Sequence, residues 1–165
     1  MAEIGGRAAE LIRSLALSPH PEGGYFREIF RSPREVAAPG VSGTRSALTT
    51  IYYLVVAEGP SRWHVVRSDE VWHHVEGATL ELYDADPVRL AARRSLLGPA
   101  VAADVTPVHV VPAGHWQAAR TTGSYTLAGC TVGPGFDYAD FALLRDDPAE
   151  AERFRRAAGP LADLI

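Results

Sequence analysis

The sequence predicts an all-β protein with a short helix at each end. Between about residues 23 and 135, runs of β-branched, aromatic and aliphatic residues alternate with clusters of Gly, Pro, Ser and Asp. A turn signal falls roughly every ten residues, which is the spacing of an antiparallel sandwich or barrel. Apolar residues at helical spacing flank that stretch on both sides. At 165 residues, 47% apolar and 22% charged, the chain suits one domain over 1–165 that buries a sizeable core without staples.

The elements follow in order. Ile4, Ala8, Leu11, Ile12 and Leu15 share one helical face, with Gly5 and Gly6 weakening the first turn. Ser-Pro-His-Pro-Glu-Gly-Gly at 18–24 breaks any helix. Strands are expected at 25–31, 46–56, 62–67, 70–75, 79–83, 108–111, 116–120 and 125–132. Closing that many strands would remove exposed sheet edges and leave a ligand-sized interior. At the end, Asp147 suits an N-cap, Pro148 the first helical position and Gly159 the exit. Glu150 and Glu152 early, and Arg153, Arg155 and Arg156 late, complement the dipole of that helix.

Composition excludes several chemistries. All 16 basic residues are Arg, so there is neither a Schiff-base lysine nor a P-loop. The net charge of −4 offers no electrostatic footprint for nucleic acid. A lone Cys130 forbids an internal disulfide or a cysteine zinc cluster, and its apolar strand suits an inert buried thiol. No run approaches the ~20 apolar residues of a membrane span. The acidic Met-Ala-Glu-Ile-Gly-Gly start is unlike a secretory leader, so the expected location is the cytoplasm.

The densest chemistry lies in Trp63–Gly77, where His64, His73 and His74 fall within eleven residues. With Ser68-Asp69 as a turn, this segment is expected to be a hairpin. Alternation then puts His64 and Val66 on the same face as Glu70, Trp72 and His74, and His64 and Glu70 become diagonal neighbours about 7–8 Å apart. Such a pair is either a plain cross-strand contact or a functional one; inside a barrel, buried charge must be paired.

These residues resemble the cupins. The first cupin motif is His-x-His, three or four residues, Glu, six residues, Gly; this chain has His64-x-Val66, three residues, Glu70, six residues, Gly77. The second is Pro-x-Gly-x-x-His; here Pro112-Ala113-Gly114 leads to Gln117. Val66 and Gln117 thus stand where two metal ligands usually are. The strings at 19–28, 68–73, 111–114 and 130–136 look like a branch of small single-domain cupins catalogued as a domain of unknown function. The resemblance implies a cupin-type antiparallel jelly-roll β-barrel over about 23–135, and a homodimer, for which Tyr25–Arg31 offers an edge strand. His20 and Glu22 shape a Pro-Gly turn, and the resemblance implies a place for them at the pocket edge.

The expected activity is isomerase- or epimerase-like acid–base chemistry on a polar, carbonyl-bearing small molecule. His64 would be the base, oriented by Glu70, with His74 or a pocket tyrosine returning the proton. Arg27 and Arg45 would hold an anionic group bidentately. Tyr53, Trp72 and Gln117 would line the substrate. No cofactor is expected. A divalent-metal enzyme is the alternative, with His64, Glu70 and Gln117 as its ligands, and a non-catalytic binder of sugar-like molecules is the third reading.

Overall fold

The computed structural model describes residues 6–38, 40–41 and 43–165; Ile4 and Gly5 of the expected first helix lie outside them. Helix α1 spans Gly6–Ser14, followed by β1 (Ser18–Pro19), β2 (Tyr25–Arg31), β3 (Glu35–Ala37), β4 (Thr44–Ser46) and β5 (Thr49–Val56). Then come β6 (Ser61–Val66), β7 (Asp69–Gly77), β8 (Leu80–Ala85), β9 (Ala92–Leu97) and β10 (Val105–Thr106). The chain ends with β11 (Val108–Val111), β12 (Trp116–Thr121), β13 (Tyr125–Gly133), β14 (Phe141–Leu143) and helix α2 (Pro148–Ala158). Among the described residues no helix is long and apolar enough to cross a membrane.

Two six-stranded sheets face each other, in the orders β1-β2-β5-β13-β7-β11 and β10-β9-β8-β12-β6-β14. Every pairing within them is antiparallel except that of β9 with β10. No ladder joins the two sheets among the described residues, so the jelly roll is a sandwich and not the closed barrel expected.

The expected hairpin at 64–77 is absent. β6 pairs with β12 and β14, whereas β7 pairs with β13 and β11 in the other sheet. The short hairpin loops require positive φ in the turn. Among the described non-glycine residues positive φ occurs only at Ala16 and Leu90, so Arg67-Ser68 carries the chain across the sandwich instead. His64 and Glu70 therefore face each other from opposite sheets.

Burial explains the strand sequences. Tyr53 and Val55 of β5 enter the core between the sheets with Trp72, Leu82 and Cys130. Leu54 and Val56 of the same strand turn outward to meet Ala8 and Leu11 of α1. β5 is thus covered on both faces, and its run Ile51–Val56 is accordingly apolar throughout. The outer side of the second sheet is covered by α2, with Trp63, Tyr83 and Trp116 packed around Phe154. Asp147 caps α2 by accepting from the N–H groups of Ala149 and Glu150.

Candidate active site

A cavity of about 280 Å³ opens between the sheets beside β2 and residues 136–138. Phe26, Ile51, Val66, Val132 and Phe136 give it apolar walls. Its floor is polar: Glu22, His64 and Glu70 line it, and none is more than 6% exposed.

Glu22 reaches the floor from the loop between β1 and β2. Gly23 and Gly24 take φ of 115° and 66° there, and the Gly23 N–H closes onto the His20 carbonyl at 3.0 Å. The Arg62 N–H donates to the Glu22 carbonyl at 2.8 Å, and the Tyr53 hydroxyl to the Gly23 carbonyl at 2.8 Å, so β6 and β5 both hold the loop. Ser61 donates to Oε1 of Glu22 at 2.9 Å, and Oε2 lies 3.1 Å from Nε2 of His64.

The hydrogen-bond directions locate a proton. The Arg62 carbonyl, 2.7 Å from Nδ1 of His64, can only accept, so Nδ1 carries a hydrogen. Nε2 is the ring nitrogen that faces Oε2 of Glu22. Burial pushes the Glu22 carboxyl up and the His64 imidazole down, the latter opposed by the charge of Glu70. Both shifts disfavour the charged forms of the two groups. His20 stands beside the pair, its ring centroid 4.5 Å from that of Phe26 in an edge-on arrangement and its pKa lowered by burial.

Across the cavity, burial pushes Glu70 up to about 7, with His64 opposing the rise and Glu22 adding to it. Gln117 Nε2 donates to Glu70 Oε2 at 2.6 Å, and Trp72 Nε1 donates to Gln117 Oε1 at 3.1 Å.

The structure thus gathers His64, Glu70 and Tyr53 at one cavity but changes their partners. The carboxyl that touches His64 is Glu22, not Glu70, because the two motif strands belong to different sheets. Trp72 and Gln117 lie behind the cavity wall and reach it through Glu70. His74 does not line it: it lies four residues along β7 from Glu70, just before the register shift that precedes Glu76, with Nε2 3.2 Å from the Gly77 carbonyl. Arg27 points to the other side of β2 from Phe26 and Glu28 and donates to the Leu15 carbonyl. Arg45 is committed to Asp140 at 2.7 and 3.0 Å. Neither lines the cavity.

The arginine that does line the cavity is Arg31. Strict alternation from Phe26 would put Phe30 inward, but a bulge between Glu28 and Phe30 shifts the register and turns Arg31 in. Glu28 holds it at 3.0 and 2.7 Å. Glu22 was signalled by its Pro-Glu-Gly-Gly context and by the family resemblance, since alternation says nothing about loops.

The expected metal ligands do not fit an ion. Among the described residues no three His, Cys, Asp or Glu side chains are arranged to hold one. Val66 offers no donor, and both ends of the Gln117 amide are engaged.

Two facing antiparallel sheets around a cavity with this polar floor define a cupin-type jelly roll. The chain belongs to the cupin superfamily, in the family designated DUF985, which matches residues 9–144. A hypothetical protein from Leishmania major is 31% identical, with 97% of this chain and 98% of that one covered and a TM-score of 0.86. A Shewanella oneidensis protein is 28% identical, with 98% of each chain covered and a TM-score of 0.83. An oxalate decarboxylase of Bacillus subtilis shares the fold alone, at 15% identity over 90% of this chain and 37% of that one, with a TM-score of 0.58. No protein of curated function matches in sequence.

Proposed function

We propose that this cupin is an enzyme of isomerase or epimerase type, moving a proton on a small, polar, carbonyl-bearing compound bound between the sheets. One observation carries the reading: two proton-exchanging sites, Glu70 on one sheet and the Glu22–His64 pair on the loop and strand opposite, line one cavity. A carboxyl held near pH 7 is matched to taking and giving protons at neutral pH. Glu70 takes the proton from the carbon next to the carbonyl, and Glu22 gives its proton to the carbonyl oxygen, with His64 retaining contact with the Glu22 carboxyl. Reversal of these transfers onto the neighbouring carbon, or onto the other face, completes the reaction with no change of oxidation state. The volume, about 280 Å³, restricts the substrate to the small end of ligand sizes.

The test is proton exchange from heavy water into a panel of small hydroxy-ketones and aldoses, followed by NMR. Exchange is expected with the native protein and should fall about 10²–10⁴-fold in Glu70→Gln and in His64→Asn that keep their amide spectra. Compounds that bind without exchanging would overturn the enzymatic reading and leave a binding protein.

A further inference from the structure

Gln117 occupies a cupin ligand position, yet its amide is spent on neighbours, and those contacts run in one direction. An indole N–H only donates, so Trp72 at 3.1 Å makes Oε1 of Gln117 the acceptor. The amino end is thereby turned to Glu70, 2.6 Å from Oε2. An N–H aimed at Oε2 makes that oxygen an acceptor as well. The carboxyl proton is left to Oε1, on a side chain that lines the cavity, as neither Trp72 nor Gln117 does.

We propose that Gln117, oriented by Trp72, is the positioning residue of Glu70: the relay holds one carboxyl oxygen as an acceptor and keeps the exchangeable proton on the other, available to the cavity. A purely structural account leaves the polarity unexplained. Gln117 is 1% exposed in the core between the sheets, where an apolar side chain of similar size would fill the space without desolvating an amide. The amide is worth burying only because both its ends are satisfied, and the indole decides which end meets the carboxyl. With the indole hydrogen removed, the amide is free to turn its oxygen to Glu70, where it would accept from the protonated acid and not support the carboxylate.

The proposal rests on the proton-transfer reading only for what the proton is used for; its test needs no substrate. The charged or titratable groups acting on Glu70 are Glu22 from the loop, His64 from β6 and Cys130 from β13, all of which stay in place. Carboxyl 13C signals of Glu-labelled protein are followed against pH, with Glu70 identified by its loss in Glu70→Gln. In the native protein the Gln117 amino protons should exchange slowly and shift through the Glu70 midpoint. Trp72→Phe keeps a ring but deletes the donor, and should raise that midpoint by about half a unit, although Trp72 has no hydrogen bond to Glu70. Gln117→Leu should raise it by about one unit, since a hydrogen bond to the charged form is lost. A midpoint that is unmoved or lower in both variants overturns the relay. If either variant fails to fold, the native amide decides: Gln117 amino signals indifferent to Glu70 ionisation overturn it equally. Absence of proton exchange into substrates, with the midpoints shifted as stated, overturns the enzymatic reading and leaves the relay standing.

Discussion

In the unfolded chain Glu70 ionises near pH 4.5, while in the folded protein it stays protonated until about pH 7. Between those values the native state holds a proton that the unfolded state has released. Stability from this group is therefore full below pH 4.5 and lost as pH rises through 7. The two-and-a-half-unit gap sets an upper bound of about 3 kcal/mol, at 1.36 kcal/mol per unit. His20 and His64, lowered by burial, act in the opposite sense: what they contribute is present above the ordinary imidazole range and lost on acidification. Glu70→Gln removes the first effect and keeps the second. Urea unfolding should show the variant gaining on the native protein by up to about 3 kcal/mol between pH 5 and 8. Parallel stability curves across that range would show that Glu70 ionises as freely in the fold as outside it.

At the scale of elements, the loop that delivers Glu22 depends on two glycines. At Gly23, φ is 115°, and a Cβ would drive into the Pro60 carbonyl oxygen; at Gly24 it would stand 2.6 Å from the Leu54 carbonyl oxygen. Gly23→Ala should cost about 3 kcal/mol or more, because strain at positive φ adds to a clash with backbone. The surviving folded fraction should show His64 titrating without its Glu22 neighbour, a histidine NMR measurement that fails the idea if His64 is unchanged. The same loop marks where sequence stops informing. Strands such as Val108–Val111 were legible to the residue because turn chemistry bounds them, and Asp147-Pro148 announced α2. Period-two alternation put His64 and Glu70 on an inward face, and both side chains are buried. It could not reveal which sheet β6 and β7 join, since both possibilities bury the same residues. Nor could it reveal the bulge that exchanges Phe30 for Arg31, because neither residue carries a mark of it.

At the scale of the molecule, the second sheet separates two cores, and β8 and β12 serve both. Leu80, Leu82 and Ala119 face the first sheet; Tyr83, Ala85 and Ala118 face α2. The cavity belongs to the first side, while α2 anchors the second through Phe154, fully buried with its ring 4.5 Å from that of Trp63. The Trp63 indole N–H adds a hydrogen bond to the Leu161 carbonyl at 2.8 Å, tying down the chain after α2. His64 neighbours Trp63 in sequence but points to the opposite face, so packing under α2 reaches the site only through the backbone of β6. Phe154→Ala should lower stability by about 3–5 kcal/mol through the cavity it leaves. Because the two cores share strands but no side chains, the Glu70 midpoint near pH 7 should be unaltered in that variant. Thermal unfolding measures the first effect and the carboxyl 13C titration the second. A Glu70 midpoint displaced in Phe154→Ala would mean that the second sheet transmits packing from α2 to the cavity floor, and the separation of the two cores would fall.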